Sequence, residues 1–319
     1  MSGKALPTPA EEVRIAVIID NYYDGLLMPE GNVERYRFFK PGGGEILELP
    51  PHITAEHGFG CYIEVTAEGK KNSILMDFGV TEYGAANNIK AMGIDLTGIS
   101  AAVLSHGHFD HFGGLERVSG LIGKKLPLYV GKETFSRRYI TLPGMKLDLG
   151  RLEPGKVEAA GYEIRQTDSS EEIVPGALII GPIPRVTDFE QGSPILSVER
   201  DGQVVQDDFV GELSLAFNIA GKGLVILTAC AHAGIINTVK RAIDLTGVEK
   251  IHAILGGFHL SGAPSEKIEK TVKELVRVNP EQIVPMHCTG YQAGKLISDR
   301  MAGKFVLYSA GSRYSYYGM

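Results

Sequence analysis

Residues 101–114 have the sequence AAVLSHGHFDHFGG, in which a short apolar run is followed at once by three histidines and one aspartate. The run at 101–104 predicts a short buried strand. Imidazole and carboxylate groups are common ligands of zinc, iron and manganese, so four of them at the end of one strand indicate a metal site. The other interpretation is a solvated polar loop or a set of hydrogen-bonded core histidines. It is much weaker, because motifs this dense rarely lack a role.

The spacing of these residues predicts how their side chains are directed. His106 and His108 point the same way from an extended segment, because side chains along such a segment alternate with a period of two. Asp110 and His111 follow where the chain turns, and we expect them to face a second ion beside the first. The neighbouring glycines, including Gly107, let the backbone bend tightly around the site.

The composition is that of an ordinary globular chain, with 319 residues of which 44% are hydrophobic and 22% are charged. The net charge of -6 and the absence of a basic stripe argue against a nucleic-acid partner, although a local basic pocket for a phosphate stays compatible with them. No apolar run is long enough to cross a bilayer, and the start lacks the apolar core of a signal peptide. Three cysteines are an odd and sparse set that favours a reducing cytoplasm. We therefore expect a cytoplasmic protein that acts on a small molecule, without a membrane partner.

Apolar periodicity on both sides of the motif predicts hairpins first and alternating helices and strands later. The predicted strands are 13–19, 61–65, 73–76, 128–130, 162–165, 178–180, 213–219, 224–228, 251–255, 282–285 and 305–308, and the predicted helices are 81–92, 234–245, 264–278 and 291–301. Asp201-Gly202 is a hairpin signal. Hairpins with helices outside them indicate sheets covered by helices.

We expect a single domain over 1–319 with loop insertions near 22–60 and 131–176. The first contains the turn signals PGGG at 41–44 and Pro50-Pro51, so it is a candidate wall or lid for a pocket.

The motif His-x-His-x-Asp-His after a strand resembles the metallo-β-lactamase superfamily, and further stretches resemble one branch of it. That branch comprises the dihydropterin-type synthases of methanopterin assembly and related metal-dependent hydrolases. The stretches are Asp20-Asn21, EHG at 56–58, MDFG at 76–79, ACAHAGI at 229–235, GGFHL at 256–260 and HCTG at 287–290. The resemblance covers about residues 13–290, and it implies an α/β (α+β) fold, a four-layer αββα sandwich with metals at one edge.

One position departs from the superfamily pattern. The usual third ligand is a histidine ahead of the second hairpin, yet no histidine lies between His111 and His232. We assign this role to His232, at the end of the strand predicted for 224–228; the alternative is a helix-capping or core histidine. Glu212 is a weaker candidate. Cys230 lies about where many relatives have a metal-bridging aspartate, so it is either a zinc ligand or a small buried residue.

The remaining histidines divide by position. His287 ends the apolar run 283–286 and matches the superfamily's last metal histidine. His259 is a ligand, a substrate-binding group or an orienting neighbour. His57 lines the pocket or is structural, whereas His52 and His252 are most simply structural.

Three polar residues at predicted strand ends complete the candidate site. Asp77 resembles the superfamily's buried aspartate, which implies that it fixes the histidine loop by hydrogen bonds. Asp20 and Asn21 either do similar work or are ordinary turn formers.

These assignments predict a site for two divalent ions, with zinc preferred and iron or manganese as alternatives. His106, His108 and His232 hold one ion. The other ion is held by Asp110, His111 and His287, and Asp110 and His259 take part in catalysis. The leading hypothesis is metal-dependent hydrolysis of an ester, lactone, thioester or phosphoester.

Two alternatives remain open. The first is transfer, since the branch includes an enzyme that joins a pterin pyrophosphate to an aminobenzene ribotide. Such a substrate requires basic residues, and the loops offer Arg35, Arg37, Lys40, Arg137 and Arg138. The second is a non-hydrolytic metal, redox or sensor protein, for which we expect no flavin domain because no flavodoxin-like segment follows Met319.

Overall fold

The fold consists mainly of short strands whose side chains alternate between buried and more exposed positions. The structure, a computed structural model, describes residues 6–38 and 49–319. The strands are β1 (Ala10–Ile19), β2 (Val33–Glu34), β3 (Gly60–Ala67), β4 (Lys70–Met76), β5 (Ala101–Leu104), β6 (Leu126–Val130), β7 (Arg138–Leu142), β8 (Met145–Gly150), β9 (Tyr162–Gln166), β10 (Glu172–Val174), β11 (Ala177–Ile180), β12 (Leu196–Arg200), β13 (Gln203–Gln206), β14 (Ser214–Ile219), β15 (Gly223–Leu227), β16 (Ile251–Gly257), β17 (Gln282–Met286) and β18 (Arg313–Tyr317). The helices are α1 (Gly84–Ala91), α2 (Phe109–Phe112), α3 (Leu115–Ile122), α4 (Pro154–Ala159), α5 (Ile235–Thr246), α6 (Ser265–Val278) and α7 (Tyr291–Arg300).

The main sheet has the strand order β17-β16-β15-β14-β1-β3-β4-β5-β6-β9. Because successive side chains point to opposite faces of a strand, each half of this sheet contributes an inner and an outer apolar face. The inner residues, such as Val17 and Leu255, form one core between the two halves. On the outside, Ile254 packs beneath the later helices and Leu104 beneath the earlier ones. The predicted αββα sandwich is confirmed.

Most predicted strands form within a few residues of their expected bounds, and β5 has the predicted bounds. The Asp201-Gly202 signal forms the turn between β12 and β13, with both residues at positive φ (52° and 76°), as a two-residue hairpin turn requires. The first helix begins later than predicted, at Gly84. The reason is local. The hydroxyl of Thr81 accepts a hydrogen bond from the Gly84 amide, and the Glu56 carboxylate accepts hydrogen bonds from the amides of Val80 and Thr81.

The strand predicted for 305–308 is wrong. Only Phe305 pairs there, through an isolated bridge to Ile283, and the terminal strand is β18. This strand pairs with β1 and β2 and buries Tyr314 and Tyr316. Its alternating Tyr-Ser-Tyr pattern is the signal that the sequence offered for it.

The two expected loop insertions differ in structure. The described parts of 22–60 are irregular apart from β2 and the start of β3, whereas residues 41–44 and Lys40 lie outside the described residues. The stretch 131–176 is not a plain loop, because it contains β7, β8, α4, β9 and β10. Strands β7 and β8 join β12 and β13 in a separate four-stranded sheet. The single-domain organisation stays a prediction. No helix in the described residues is long and apolar enough to cross a membrane.

Replacing Tyr316 with alanine tests the contribution of β18 to stability. The Tyr316 ring is buried against His252, and its hydroxyl donates a hydrogen bond to Gln282 at 2.5 Å. We expect Tyr316→Ala to lower the free energy of unfolding by about 3–5 kcal/mol in urea denaturation, because it leaves a cavity. The same change at Tyr317, which is exposed on this strand, should alter it by less than about 0.5 kcal/mol. Equal effects of the two changes would contradict a structural role for β18.

Candidate metal centre

Three buried imidazoles meet at the edge of the sandwich. The Nε2 atom of His106 lies 3.1 Å from Nδ1 of His108 and 3.2 Å from Nε2 of His232. Burial and the neighbouring imidazoles lower the pKa of all three rings well below the usual value, and Arg138 adds to this effect for His106 and His108, so the rings are neutral. A neutral imidazole exposes a lone pair, and three lone pairs that converge in this way fit a cation.

The buried carboxylate of Asp77 sets the orientation of two rings in this cluster. Its Oδ1 accepts from the Ser105 amide at 2.7 Å, and its Oδ2 accepts from the Ser105 hydroxyl at 2.6 Å and from Nδ1 of His111 at 2.7 Å. Since the Ser105 hydroxyl donates to Asp77, it accepts from Nδ1 of His106, which lies 2.9 Å away. In both rings Nε2 is therefore the nitrogen that can offer a lone pair to a cation, as metal binding requires. This agrees with the role that the resemblance implied for Asp77.

A second set of donors lies beside the first. Oδ2 of Asp110 is 3.5 Å from Nε2 of His287, and Oδ1 is 3.8 Å from Nε2 of His111. Burial alone raises the pKa of Asp110, but the surrounding histidines outweigh it and hold the pKa below its usual range. The Nε2 atom of His287 is buried without a hydrogen-bond partner. An orphaned nitrogen that faces a carboxylate and a second imidazole fits a cation among them.

Cys230 lies between the two sets. Its Sγ atom is 3.2 Å from Nε2 of His111, and its thiol belongs to one cluster with His106 and His111. Cys288, for which the sequence predicted no role, lies next to it, with Sγ 3.7 Å from the Cys230 carbonyl oxygen. The only signal for Cys288 was its position directly after His287. Cys230 is thus buried beside both sets of donors, and its role as a ligand stays a prediction.

Glu212, the weaker ligand candidate, faces backbone amides. Its two carboxylate oxygens accept from the amides of His232 at 2.7 Å and Ala233 at 2.8 Å. Burial raises the pKa of Glu212 to about 7. Arg185 donates to the His232 carbonyl at 3.1 Å. Glu212 and Arg185 thus position the loop that carries His232, a tertiary arrangement that has no local signature in the sequence.

The other histidines occupy distinct places. The His259 ring lies tilted against that of His232, with ring centroids 4.0 Å apart, and its Nδ1 is buried without a hydrogen-bond partner. His57 lies at the mouth of the site, with Nε2 3.6 Å from Oδ2 of Asp110. His252 pairs with Glu281 at 2.7 Å, and His52 is exposed. His259 and His57 therefore belong to the site, whereas the contact of His252 is consistent with a structural role.

Asp20 and Asn21 contact His287 directly. Oδ1 of Asp20 accepts from the His287 amide at 3.1 Å and from the Asn21 amide at 2.6 Å. Burial raises the pKa of Asp20 to about 7. These two residues position His287 and are more than ordinary turn formers.

Three of the basic residues that are candidates for binding a phosphate form ion pairs within the protein. Arg138 forms a buried ion pair with Asp207 at 2.8 Å and packs against Gly107, where a Cβ atom would collide with the Thr134 carbonyl. Arg35 donates to Ser312 and pairs with Glu30, and Arg137 pairs with Asp148. Arg37 is half-buried, and Lys40 lies outside the described residues.

Comparison with known proteins identifies relatives over most of the chain. A model of the metallo-β-lactamase superfamily matches residues 32–193. A 7,8-dihydropterin-6-methyl-4-(β-D-ribofuranosyl)-aminobenzene-5′-phosphate synthase of Methanocaldococcus jannaschii is 32% identical over 81% of this chain and 89% of its own length. An uncharacterised protein of the same organism is 30% identical over 75% of this chain and 86% of its own. The crystal structure of a metal-dependent hydrolase of the β-lactamase superfamily superposes with a TM-score of 0.73 and 25% identity, covering 94% of this chain and 98% of that one.

Removing the His232 ring tests the first set of donors. We expect His232→Ala to bind about one cation fewer per chain, because only two imidazoles of that set remain. Zinc content should be measured by mass spectrometry after loading and gel filtration. His252→Ala, which removes a histidine that pairs with Glu281, should retain the full content. An unchanged zinc content in His232→Ala would exclude His232 as a ligand.

Replacing Glu212 with glutamine tests the positioning of that ring. A glutamine can accept only one of the two backbone hydrogen bonds, so the His232 loop should shift. We expect zinc affinity at the first set to fall about 10- to 100-fold in competition titrations with a chelator. The variant should still fold, which circular dichroism would verify. Wild-type affinity in a folded variant would contradict the positioning role.

Proposed function

The chain belongs to the metallo-β-lactamase superfamily, and from that premise we propose that it is a hydrolase of a small ester, lactone, thioester or phosphoester that works with two divalent cations. One observation carries the proposal. Two sets of buried donors, centred on His106 and on Asp110, lie side by side with the Cys230 thiol between them. Adjacent donor sets of this kind are the arrangement that supports two-metal hydrolysis.

The donor chemistry favours zinc. When bound, such cations activate a water molecule and polarise a carbonyl or phosphoryl oxygen. Neutral imidazoles suit zinc, iron and manganese alike, but a thiolate from Cys230 favours zinc or iron over manganese. We therefore propose zinc, with iron as the alternative.

The protein's own groups supply binding and orientation. Asp110 is ionised, because its pKa lies below the usual range, and it can accept a hydrogen bond from the attacking water. His259 borders the first set of donors and is placed to contact the substrate. Asp77 and Glu212 hold the donor loops in place while the substrate changes charge.

Transfer is the second candidate, because a relative that is 32% identical is a synthase. A transferase would use the same donors but exclude water in favour of a second substrate. Arg35, Arg137 and Arg138, which were considered for a pyrophosphate, each have a protein partner. The engagement of these three arginines within the protein supports hydrolysis over transfer.

We also propose a cytoplasmic location and a small-molecule substrate. Cys61, Cys230 and Cys288 are all free and buried, which suits a reducing compartment. The candidate centre is assembled from buried side chains at one edge of the sandwich, a setting for a small molecule.

Activity should depend on bound cations and on Asp110. We expect chelator-treated protein to lose hydrolysis of bis(p-nitrophenyl) phosphate, a lactone or a thioester, and added zinc to restore it. Asp110→Asn should lower kcat by about 10²-fold or more, because it removes the carboxylate that orients the water. His52→Ala, a change at an exposed histidine, is the matched control.

A parallel assay separates hydrolysis from transfer. It follows consumption of a dihydropterin pyrophosphate with and without an aminobenzene ribose phosphate. Consumption that requires the second substrate would replace hydrolysis with transfer. A zinc-loaded protein that turns over none of these compounds would leave only the metal-binding or redox alternative.

A further inference from the structure

The side-chain amide of Asn21 connects two histidines at the candidate metal centre. Its Nδ2 atom lies 3.2 Å from the His287 carbonyl oxygen and 3.3 Å from Nδ1 of His57. Its Oδ1 atom lies 3.0 Å from Nδ1 of His287. The Asn21 amide therefore contacts two histidines, His57 and His287, that are more than 200 positions apart along the chain.

These contacts fix the direction of the amide and the tautomer of His287. A carbonyl oxygen can only accept, so the atom that faces the His287 carbonyl must be the Asn21 nitrogen. The Asn21 oxygen then faces Nδ1 of His287, which must carry a proton. With the proton on Nδ1, Nε2 of His287 is the atom that can offer a lone pair to a cation, and it lies without a hydrogen-bond partner 3.5 Å from Asp110.

The same amide fixes His57 in the opposite tautomer. An N–H of Asn21 points at Nδ1 of His57, so that atom must hold a lone pair and the proton must lie on Nε2. A proton at Nδ1 would instead place two N–H groups face to face. The two rings, whose centroids are 5.1 Å apart, thus present different groups at Nε2: His57 presents an N–H donor, and His287 presents the nitrogen that can offer a lone pair.

The Nε2–H group of His57 is available to a substrate. The side chain is 65% exposed, and Nε2 is 3.6 Å from Oδ2 of Asp110, which is too long for a hydrogen bond. A substrate oxygen bound beside Asp110 can therefore take this hydrogen. An imidazole N–H that donates in this way stabilises an oxygen as it gains negative charge.

We propose that His57 is a catalytic hydrogen-bond donor to the substrate oxygen that becomes negatively charged, and that Asn21 is the positioning residue that holds His57 in the donor tautomer. No proton is transferred, because Nε2 keeps its hydrogen throughout. The catalytic part rests on the proposed hydrolase function, whereas the tautomers can be tested without it.

The tautomers are tested by long-range ¹H–¹⁵N correlation spectra of the zinc-loaded protein labelled at histidine. We expect His57 to carry its proton on Nε2 and His287 on Nδ1, with His57→Ala assigning the signals. In Asn21→Ala, His57 should become a mixture of tautomers. A doubly protonated His57 at neutral pH, or one with its proton on Nδ1, would overturn the positioning role of Asn21.

The catalytic role is tested with a pair of substitutions at His57. We expect His57→Ala to lower kcat about 10²-fold, as loss of one oxyanion donor does. His57→Gln carries an N–H near the position of Nε2 and should stay within about tenfold of the wild type. Both variants must retain the zinc content of the wild type, and His52→Ala should match the wild type throughout. Wild-type kcat in His57→Ala would overturn the proposal.

Binding of inorganic phosphate provides a readout that needs no turnover. Calorimetry on the zinc-loaded protein should show binding weakened about tenfold in His57→Ala and largely retained in His57→Gln. Equal binding in all three proteins would contradict donation by His57. If the wild type hydrolyses nothing, the proposed function and the catalytic role of His57 both fail, while the spectra still decide whether Asn21 sets the tautomers.

Discussion

A buried carboxylate below the histidine motif is the constraint on which the centre depends. Asp77 accepts three hydrogen bonds, two from Ser105 and one from His111. Burying a carboxylate is costly unless its oxygens accept hydrogen bonds, so the fold must place these donors around Asp77. The Asp77 carboxylate accepts a hydrogen bond from Nδ1 of His111 and, through the Ser105 hydroxyl, orients Nδ1 of His106. The Nε2 atoms of both rings are thereby directed into the centre.

The parts of the centre that lie close together in sequence were predictable, because their geometry is local. The strand at 101–104 and the motif after it form as expected, and His232 and His287 lie with the motif, as their positions at strand ends suggested. Their roles as ligands stay predictions. The αββα layers also followed from the order of hairpins and helices, together with the family resemblance.

The parts that could not be predicted depend on contacts across the fold. Glu212 was considered as a ligand, yet its carboxylate binds the amides of the His232 loop, which only folding brings to it. Asn21 carries a turn signal in sequence, and nothing local indicates that it touches a residue 266 positions away. For β18, the apolar segment at 305–308 suggested a strand, but burial of the tyrosines at 314 and 316 places the strand later.

The candidate centre joins distant parts of the chain, since Asp20 and Asn21 contact His287, which lies 266 positions after Asn21. A ribosome-bound chain that already displays the His106 motif therefore still lacks His287. Until His287 has been synthesised, such a chain offers a cation only part of the candidate ligand set. With the proposed ligand set, full metal binding follows synthesis of His287, and the free energy of binding stabilises the assembled centre rather than chains that lack this residue.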